Sequence, residues 1–169
     1  MSYFDKAYEH LSKWEGGFVD HPDDPGGLTN HGVSIRWYMS VFPEKEQSEA
    51  ENDIRNMTPD EAKDLYEQYW WRPEFDLLDD VRVATVIFST GVNMGMPRAV
   101  RIAQQTANNL GFKLQVDGVM GPKTRIALND LKPDAVLREM RKLLVLRRLD
   151  LAKVKHPFIR GWVRRDLDL

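Results

Sequence analysis

Two carboxylates that are close together in the chain, Glu15 and Asp24, are the residues best suited to do chemistry. Apolar residues at three- and four-residue steps lead up to Glu15 and predict a helix, which the following pair of glycines should end. Glu15 is therefore expected on the last turn, where the helix dipole and the apolar cover of Trp14 and Phe18 raise the pKa of a carboxyl group. A carboxylic acid that stays protonated near neutral pH can act as general acid on a glycosidic bond. The competing interpretation is a surface residue beside a helix-ending glycine pair.

Asp24 is the second candidate, and it follows Glu15 with eight residues between them in a glycine-rich loop. Two carboxylates on either side of a glycosidic bond suit hydrolysis, and their separation decides the stereochemical outcome. The alternative role for Asp24 is an Asx turn before Pro25 and Gly26. Asp20 and neighbouring acidic residues lack the spacing of a calcium-binding loop, so we expect no metal and no cofactor.

The elements that must position these residues are mostly helical. Residues 58–61 have the pattern of a helix N-terminus with a capping box, and residues 81–95 are apolar almost all round, as in a buried central helix. Prolines predict three further helix starts, and residues 28–35 suit a short hairpin. The charged residues 43–52 fit either an exposed linker or a short helix. The pattern predicts an α+β fold that is predominantly α-helical.

Length and composition exclude several classes of protein. The 169 residues suffice for one sizeable core, and the 42% of apolar residues argues against disorder. Without cysteine there is no disulfide framework and no cysteine-ligated zinc. We see neither a secretory signal at the N-terminus nor an apolar run of the roughly 20 residues that span a bilayer. We therefore expect synthesis in the cytoplasm and no stable membrane insertion, so that a substrate in the wall or periplasm would have to be reached after release or export by another system.

Charge is unevenly distributed along the chain. Residues 1–130 hold 13 Lys and Arg against 21 Asp and Glu, whereas residues 131–169 hold 11 against 5. A basic surface that includes Arg147, Arg148, Arg164 and Arg165 would bind anionic polymers, such as teichoic acids, lipopolysaccharide phosphates or nucleic acid. The competing interpretations are a solvated helix face, or arginines whose stems cover apolar surface.

An ordered set of short motifs resembles the bacterial and phage N-acetylmuramidases of glycoside hydrolase family 108. The motifs are Glu15-Gly16-Gly17-Phe18, Asp24-Pro25-Gly26-Gly27-Leu28-Thr29, Gly32-Val33, Tyr66, Tyr69-Trp70, Phe88, Asn93-Met94-Gly95, Val116-Asp117-Gly118, Gly121-Pro122-Lys123-Thr124 and Gly161-Trp162. The resemblance implies a lysozyme-like fold, and it places the family's catalytic glutamate at Glu15. It also implies a muramidase region over residues 1–95 and a helical peptidoglycan-binding region over residues 96–169. The bond cleaved would be the β-1,4 bond between N-acetylmuramic acid and N-acetylglucosamine.

Five further residues are predicted to bind the substrate. Phage-type lysozymes leave five residues between their aspartate and a Thr or Ser, and here Asn30 fills that position while Thr29 comes one residue early. Tyr69 and Trp70 offer the flat apolar faces that a sugar cleft needs, and Asn93 has an amide suited to an acetamido group. The alternatives are packing in the core for the aromatic residues and capping of a helix end for Asn93. In this family an aspartate commonly follows the phenylalanine at Phe88, where this chain has a serine.

Three other functions compete with a muramidase. A lytic transglycosylase also needs one glutamate, a non-catalytic wall-binding or secretion-helper module needs none, and a membrane-disrupting helix is disfavoured because Asp150 interrupts the basic stretch. In all but the last, peptidoglycan glycan strands are the expected partner. We expect a monomer that does not bind nucleic acid.

Overall fold

The computed structural model of the chain describes residues 1–13, 17–18, 27–152 and 163–164. Glu15 and Asp24 lie outside these ranges, as does Arg165. The described elements, in chain order, are α1 (Tyr3–Ser12), β1 (Thr29–Asn30), β2 (Val33–Ser34), α2 (Ile35–Val41), α3 (Gln47–Asn56), α4 (Pro59–Tyr69), a 3₁₀-helix (Pro73–Leu77), α5 (Val81–Met94), α6 (Met96–Asn109), α7 (Pro122–Asn129) and α8 (Pro133–Ala152). The structure is thus predominantly α-helical with one small sheet, as predicted.

The chain forms two compact units, one of residues Tyr8–Tyr69 and the other of Met1–Ala7 with Trp70–Leu169. We call them the hairpin unit and the helical unit. The predicted boundary at residue 95, between a catalytic and a binding region, concerns function and stays a prediction.

The hairpin unit is built around the predicted hairpin. Its strands are antiparallel, and both residues of the connecting turn, His31 and Gly32, have positive φ angles of 48° and 79°. Two such residues define the turn whose twist matches paired strands. The chain then enters α2 directly, because the hydroxyl of Ser34 accepts a hydrogen bond from the backbone N–H of Trp37. The hairpin and α2 therefore form one continuous local structure.

Two helices complete the hairpin unit. The charged residues 43–52 include most of α3, whose Ala50 and Ile54 are fully buried, so this stretch is a helix with one apolar face. The start of α4 is a reciprocal capping box, as predicted. The Glu61 carboxylate accepts from the backbone N–H of Thr58 at 2.8 Å, and the Thr58 hydroxyl accepts from the N–H of Glu61 at 3.3 Å.

The core of the helical unit contains α5, which is buried along most of its length, as its composition predicted. Phe4, Trp71 and Phe88 make edge-to-face contacts with ring centroids 5.4–6.0 Å apart. The 3₁₀-helix after α4 was not predicted from the sequence. It forms because Pro73 starts a tight turn. The turn is stabilised by a hydrogen bond from the indole N–H of Trp71 to the Asp76 carboxylate.

Arg148 of α8 is not part of the expected basic surface. Arg147 is exposed as expected, but Arg148 is only 5% exposed. The expectation that both would face solvent was therefore wrong for Arg148. Adjacent residues on a helix point about 100° apart, so when one faces solvent the next can lie against the core. A buried guanidinium contributes to packing rather than to wall attraction.

A buried amide organises the loop between α6 and α7. The side-chain N–H groups of Gln104, which is 1% exposed, donate to the Asp117 carboxylate at 2.7 Å, to the Val119 carbonyl and to the Thr124 hydroxyl. Its carbonyl oxygen accepts from the backbone N–H of Gly118 at 2.9 Å. Residues 117–124 are therefore fixed to α6 by one side chain. The chain turns tightly at Asp117 and Gly118, with Gly118 at a φ of 85°.

We predict that Gly118→Ala lowers the free energy of unfolding by about 2 kcal/mol, because a positive φ is strained for alanine. The added methyl would also lie 2.6 Å from the carbonyl oxygen of Pro97. Gly121→Ala is the matched control, since its backbone is extended and its methyl would meet open space. Urea unfolding of both variants tests the difference, and equal stability of the two would contradict this account.

Candidate active site

Residues on both sides of Glu15 and of Asp24 belong to the described part of the chain, although Glu15 and Asp24 themselves do not. On the N-terminal side, Phe4, Ala7 and Leu11 of α1 are buried, as the apolar stripe predicted. The regular helix ends at Ser12 and a turn follows at Lys13. The predicted placement of Glu15 on a last helical turn lies outside the described residues.

Residues at the end of α3 contact the chain on both sides of residues 19–26. Arg55 places its guanidinium 5.5 Å from the centre of the Phe18 ring, just before this segment. Just after it, the buried side chain of Asn30 donates to the carbonyl oxygens of Ile54 at 2.9 Å and Met57 at 3.3 Å. A cation over an exposed ring is worth about 0.5–1 kcal/mol, and an amide that satisfies two buried carbonyls is worth more. Ile54, Arg55 and Met57 thus contact residues on both sides of the segment that contains Asp24.

Neither the contact between Arg55 and Phe18 nor the hydrogen bonding of the Asn30 amide was predicted from the sequence. Asn30 was predicted as a substrate-binding residue, and its N–H groups are used in the fold. The hydroxyl of Thr29, the other predicted binding residue of the hairpin, donates to the carbonyl of Gly27 at 3.1 Å. Roles for these two residues in substrate binding stay predictions. No local signal marks Arg55, because its partner is 37 positions earlier in the chain.

The remaining predicted binding residues are divided between the two units. Tyr69 ends α4 in the hairpin unit, half-buried, with its ring edge-on to Trp37 and Phe42 at 5.9 Å each. Trp70 and Asn93 belong to the helical unit. The amide of Asn93 donates to the carbonyl of Ser89 at 2.8 Å, one turn earlier in α5. That bond serves the end of the helix, which is the alternative considered for this residue, and its binding role stays a prediction.

A cleft of about 430 Å³ opens in the hairpin unit between polar side chains of α3 and α4. Its lining residues are Tyr38, Lys45, Asn52, Asp53, Asn56, Met57, Glu61, Asp64, Leu65 and Gln68. Lys45 donates to the Asp53 carboxylate at 2.8 Å and to Glu49 at 3.1 Å, and the Tyr38 hydroxyl donates to Asp53 at 3.1 Å. The sequence showed this charged stretch but not which charges meet.

Two of the carboxyl groups that line this cleft, those of Asp53 and Glu61, have the wrong electrostatics for a general acid. The hydrogen bond from Lys45 is the main reason that the pKa of Asp53 is lowered. The pKa of Glu61 is lowered first by the backbone N–H of Thr58. A general acid needs a carboxyl that remains protonated, hence a raised pKa. Burial, followed by the bond to Asp53, raises the pKa of Tyr38, which keeps the phenol protonated.

The described residues give no indication of a bound ion or a membrane segment. Within residues 1–13, 17–18, 27–152 and 163–164, no group of three or more His, Cys, Asp or Glu is arranged to hold a metal. None of the helices in those ranges is both long and apolar enough to cross a bilayer.

Comparison with known proteins identifies the protein family of this chain. The family model described as glycosyl hydrolase 108 matches residues 8–95, just over half of the chain, so the chain belongs to this family. A second model, described as a predicted peptidoglycan domain, matches residues 98–167. The solved structure of Brucella abortus SagA resembles this chain with a TM-score of 0.80 and 27% identity, over 98% of this chain and 90% of that one. No curated protein sequence is significantly similar.

These matches confirm the predicted family, the lysozyme-like fold and the enzyme class. The chain is a glycoside hydrolase of the lysozyme type, and peptidoglycan is its substrate.

We predict that Asn30→Asp destabilises the hairpin unit and reduces wall hydrolysis. A carboxyl there would face two carbonyl oxygens, so we expect a loss of about 2–3 kcal/mol in the free energy of unfolding. Asn56→Asp is the control, because Asn56 is exposed and bonds only within its own helix. Its cost should stay below about 1 kcal/mol. Urea unfolding and turbidity loss of wall suspensions measure the two effects. An Asn30→Asp protein as stable and active as the control would show that this amide anchors nothing.

Proposed function

We propose that the chain is an N-acetylmuramidase with Glu15 as general acid, cleaving the β-1,4 bond between N-acetylmuramic acid and N-acetylglucosamine. The match of the glycosyl hydrolase 108 model over residues 8–95 supports this most strongly, because that segment contains Glu15 and its motif. The lowered pKa values of Asp53 and Glu61 also support it, since they disfavour these two cleft residues in this role. Residues 1–95 form the catalytic region in this proposal, and residues 96–169 bind the wall.

In the proposed reaction Glu15 gives its proton to the glycosidic oxygen as the bond to C1 of muramic acid breaks. The oxygen of a water molecule ends on C1. If Asp24 acts as nucleophile, it bonds C1 first, and Glu15 then takes the proton of the incoming water. If Asp24 acts as base, it takes that proton itself while water attacks directly. Thr29, Tyr69, Trp70 and Asn93 would contact the glycan, and Asn30 would hold the hairpin in place.

The Glu15→Gln variant should fold normally and lose at least about a hundredfold in activity on purified walls, the usual scale for a lost general acid. Glu9→Gln is the matched control on α1. Glu9 is exposed and forms only a loose ion pair with Lys13 at 3.9 Å, so its loss should leave activity intact. A folded Glu15→Gln protein that still digests walls would remove Glu15 from this role.

Product analysis of the unmutated protein distinguishes the proposed reaction from its closest alternative. Mass spectrometry of digested peptidoglycan should find reducing muramic acid ends. Products with 1,6-anhydro ends would instead identify a lytic transglycosylase, whose nucleophile is the substrate's own 6-hydroxyl. Walls that remain undigested would indicate a binding module.

We predict that Asp24→Asn lowers turnover far more than it lowers the melting temperature. Asparagine still makes Asx turns, so a residue with only a turn role would tolerate the change. Asp23→Asn, one position earlier, is the control for a change of charge in the same loop. Near-normal turnover in Asp24→Asn would leave Glu15 as the one essential carboxyl of this loop.

A further inference from the structure

The loop between α6 and α7 exposes two apolar side chains from a fixed backbone. Val116 is 43% exposed and Val119 is 63% exposed, on either side of the turn that Gln104 holds. The backbone of Val119 is bonded at both ends, because its N–H donates to the Asp117 carboxylate and its carbonyl accepts from the N–H of Gly121, each at 2.9 Å. These two bonds fix the direction in which the Val119 side chain leaves the backbone.

Single exposed valines are common on protein surfaces, so exposure alone indicates little. Here the next residue, Met120, is 9% exposed and points inward, so the same short loop buries one apolar side chain and presents two. Folding gains little from the two that face solvent. A rigid display of this kind lowers the entropy cost of binding a partner, since the contact residues are already in place.

Charges of both signs lie beside the two valines. The side chain of Arg101 packs against Gly118, where its Nε would be 3.3 Å from an added methyl group. Arg101 is exposed, as is Asp117 on the other side of the same glycine. Bonds from Gln104 and Val119, with the nearby charge of Arg101, lower the pKa of Asp117 and keep it ionised. The surface therefore combines methyl groups with one cation and one anion.

We propose that Val116, Val119, Arg101 and Asp117 form a binding surface for the stem peptide of peptidoglycan. The methyl groups of its alanines and of the muramic lactyl group match the two valines. Its carboxylates would pair with Arg101, and its amino groups with Asp117. A purely anionic wall polymer would meet repulsion from Asp117. A bare sugar strand prefers aromatic faces, and residues 113–121 contain no aromatic side chain. The assignment rests on the proposed wall-binding role of residues 96–169.

The test compares binding to intact walls with binding to walls whose stem peptides an amidase has removed. The full chain carries Glu15→Gln throughout, to slow digestion during sedimentation. Val116→Thr with Val119→Thr keeps the side-chain shape and replaces one methyl group of each valine by a hydroxyl. We expect this double variant to bind intact walls about tenfold more weakly. Ile126→Thr, at a 50% exposed position on α7, is the control and should bind within about twofold of the parent.

Removal of the stem peptides should weaken binding of the parent to the level of the double variant on intact walls. Circular dichroism and urea unfolding confirm that every variant is folded. Equal binding to intact and stripped walls would show that the glycan, not the peptide, is recognised, and would overturn the proposal. So would a folded double variant that binds like the parent. Failure of the unmutated protein to digest walls would instead contradict the proposed muramidase activity and leave this binding result standing.

Discussion

Each of the two units depends on one buried side-chain amide that must be hydrogen-bonded where it lies. An unpaired amide away from water costs more than a typical hydrogen bond contributes, so such a group fixes the backbone around it. In the hairpin unit Asn30 joins the strands to the end of α3. In the helical unit Gln104 joins the loop before α7 to α6. Asn30 bonds to two backbone carbonyls, and Gln104 bonds to two backbone groups and two side chains, so both amides help to specify the path of the chain.

The first amide lies beside the segment that contains Asp24. A glycine- and proline-rich segment has little apolar surface of its own to bury, so contacts at its two ends help to fix its position. The described contacts at these ends come from one end of α3, where Arg55 lies over the ring of Phe18 and the carbonyl oxygens of Ile54 and Met57 accept from Asn30. The proposed role of Asp24 requires a carboxyl held within a few tenths of an ångström, and sites held by helices are more precise than sites held by loops. These contacts would give the proposed site helical support on both sides.

Local rules account for what the sequence predicted correctly. The capping box at Thr58 and the apolar run of α5 are set within a few residues, as is the hairpin turn at Gly32, and the sequence shows each directly. Partners far apart in sequence were not predicted. Nothing in the sequence pairs Arg55 with Phe18 or shows that Arg148 faces the core, because the packing of whole elements decides both. The amide of Asn30 shows the same limit: its residue type suited a ligand, and its surroundings use its N–H groups in the fold.

Gly95 is both the C-cap of α5 and the N-cap of α6. Its φ is 89°, a conformation that glycine adopts at low cost. The two family matches meet at this residue, one ending at 95 and the other beginning at 98. Yet α5 and α6 belong to the same compact unit, and the side of α6 with Ala99, Val100 and Ala103 is buried. The segment matched by the second family model therefore does not coincide with a separate compact unit of the structure. Recombination that replaced residues 98–167 alone would succeed only if the first helix of the new segment packs against the same α5. The evolution of the proposed wall-binding region is therefore tied to that of the hydrolase region.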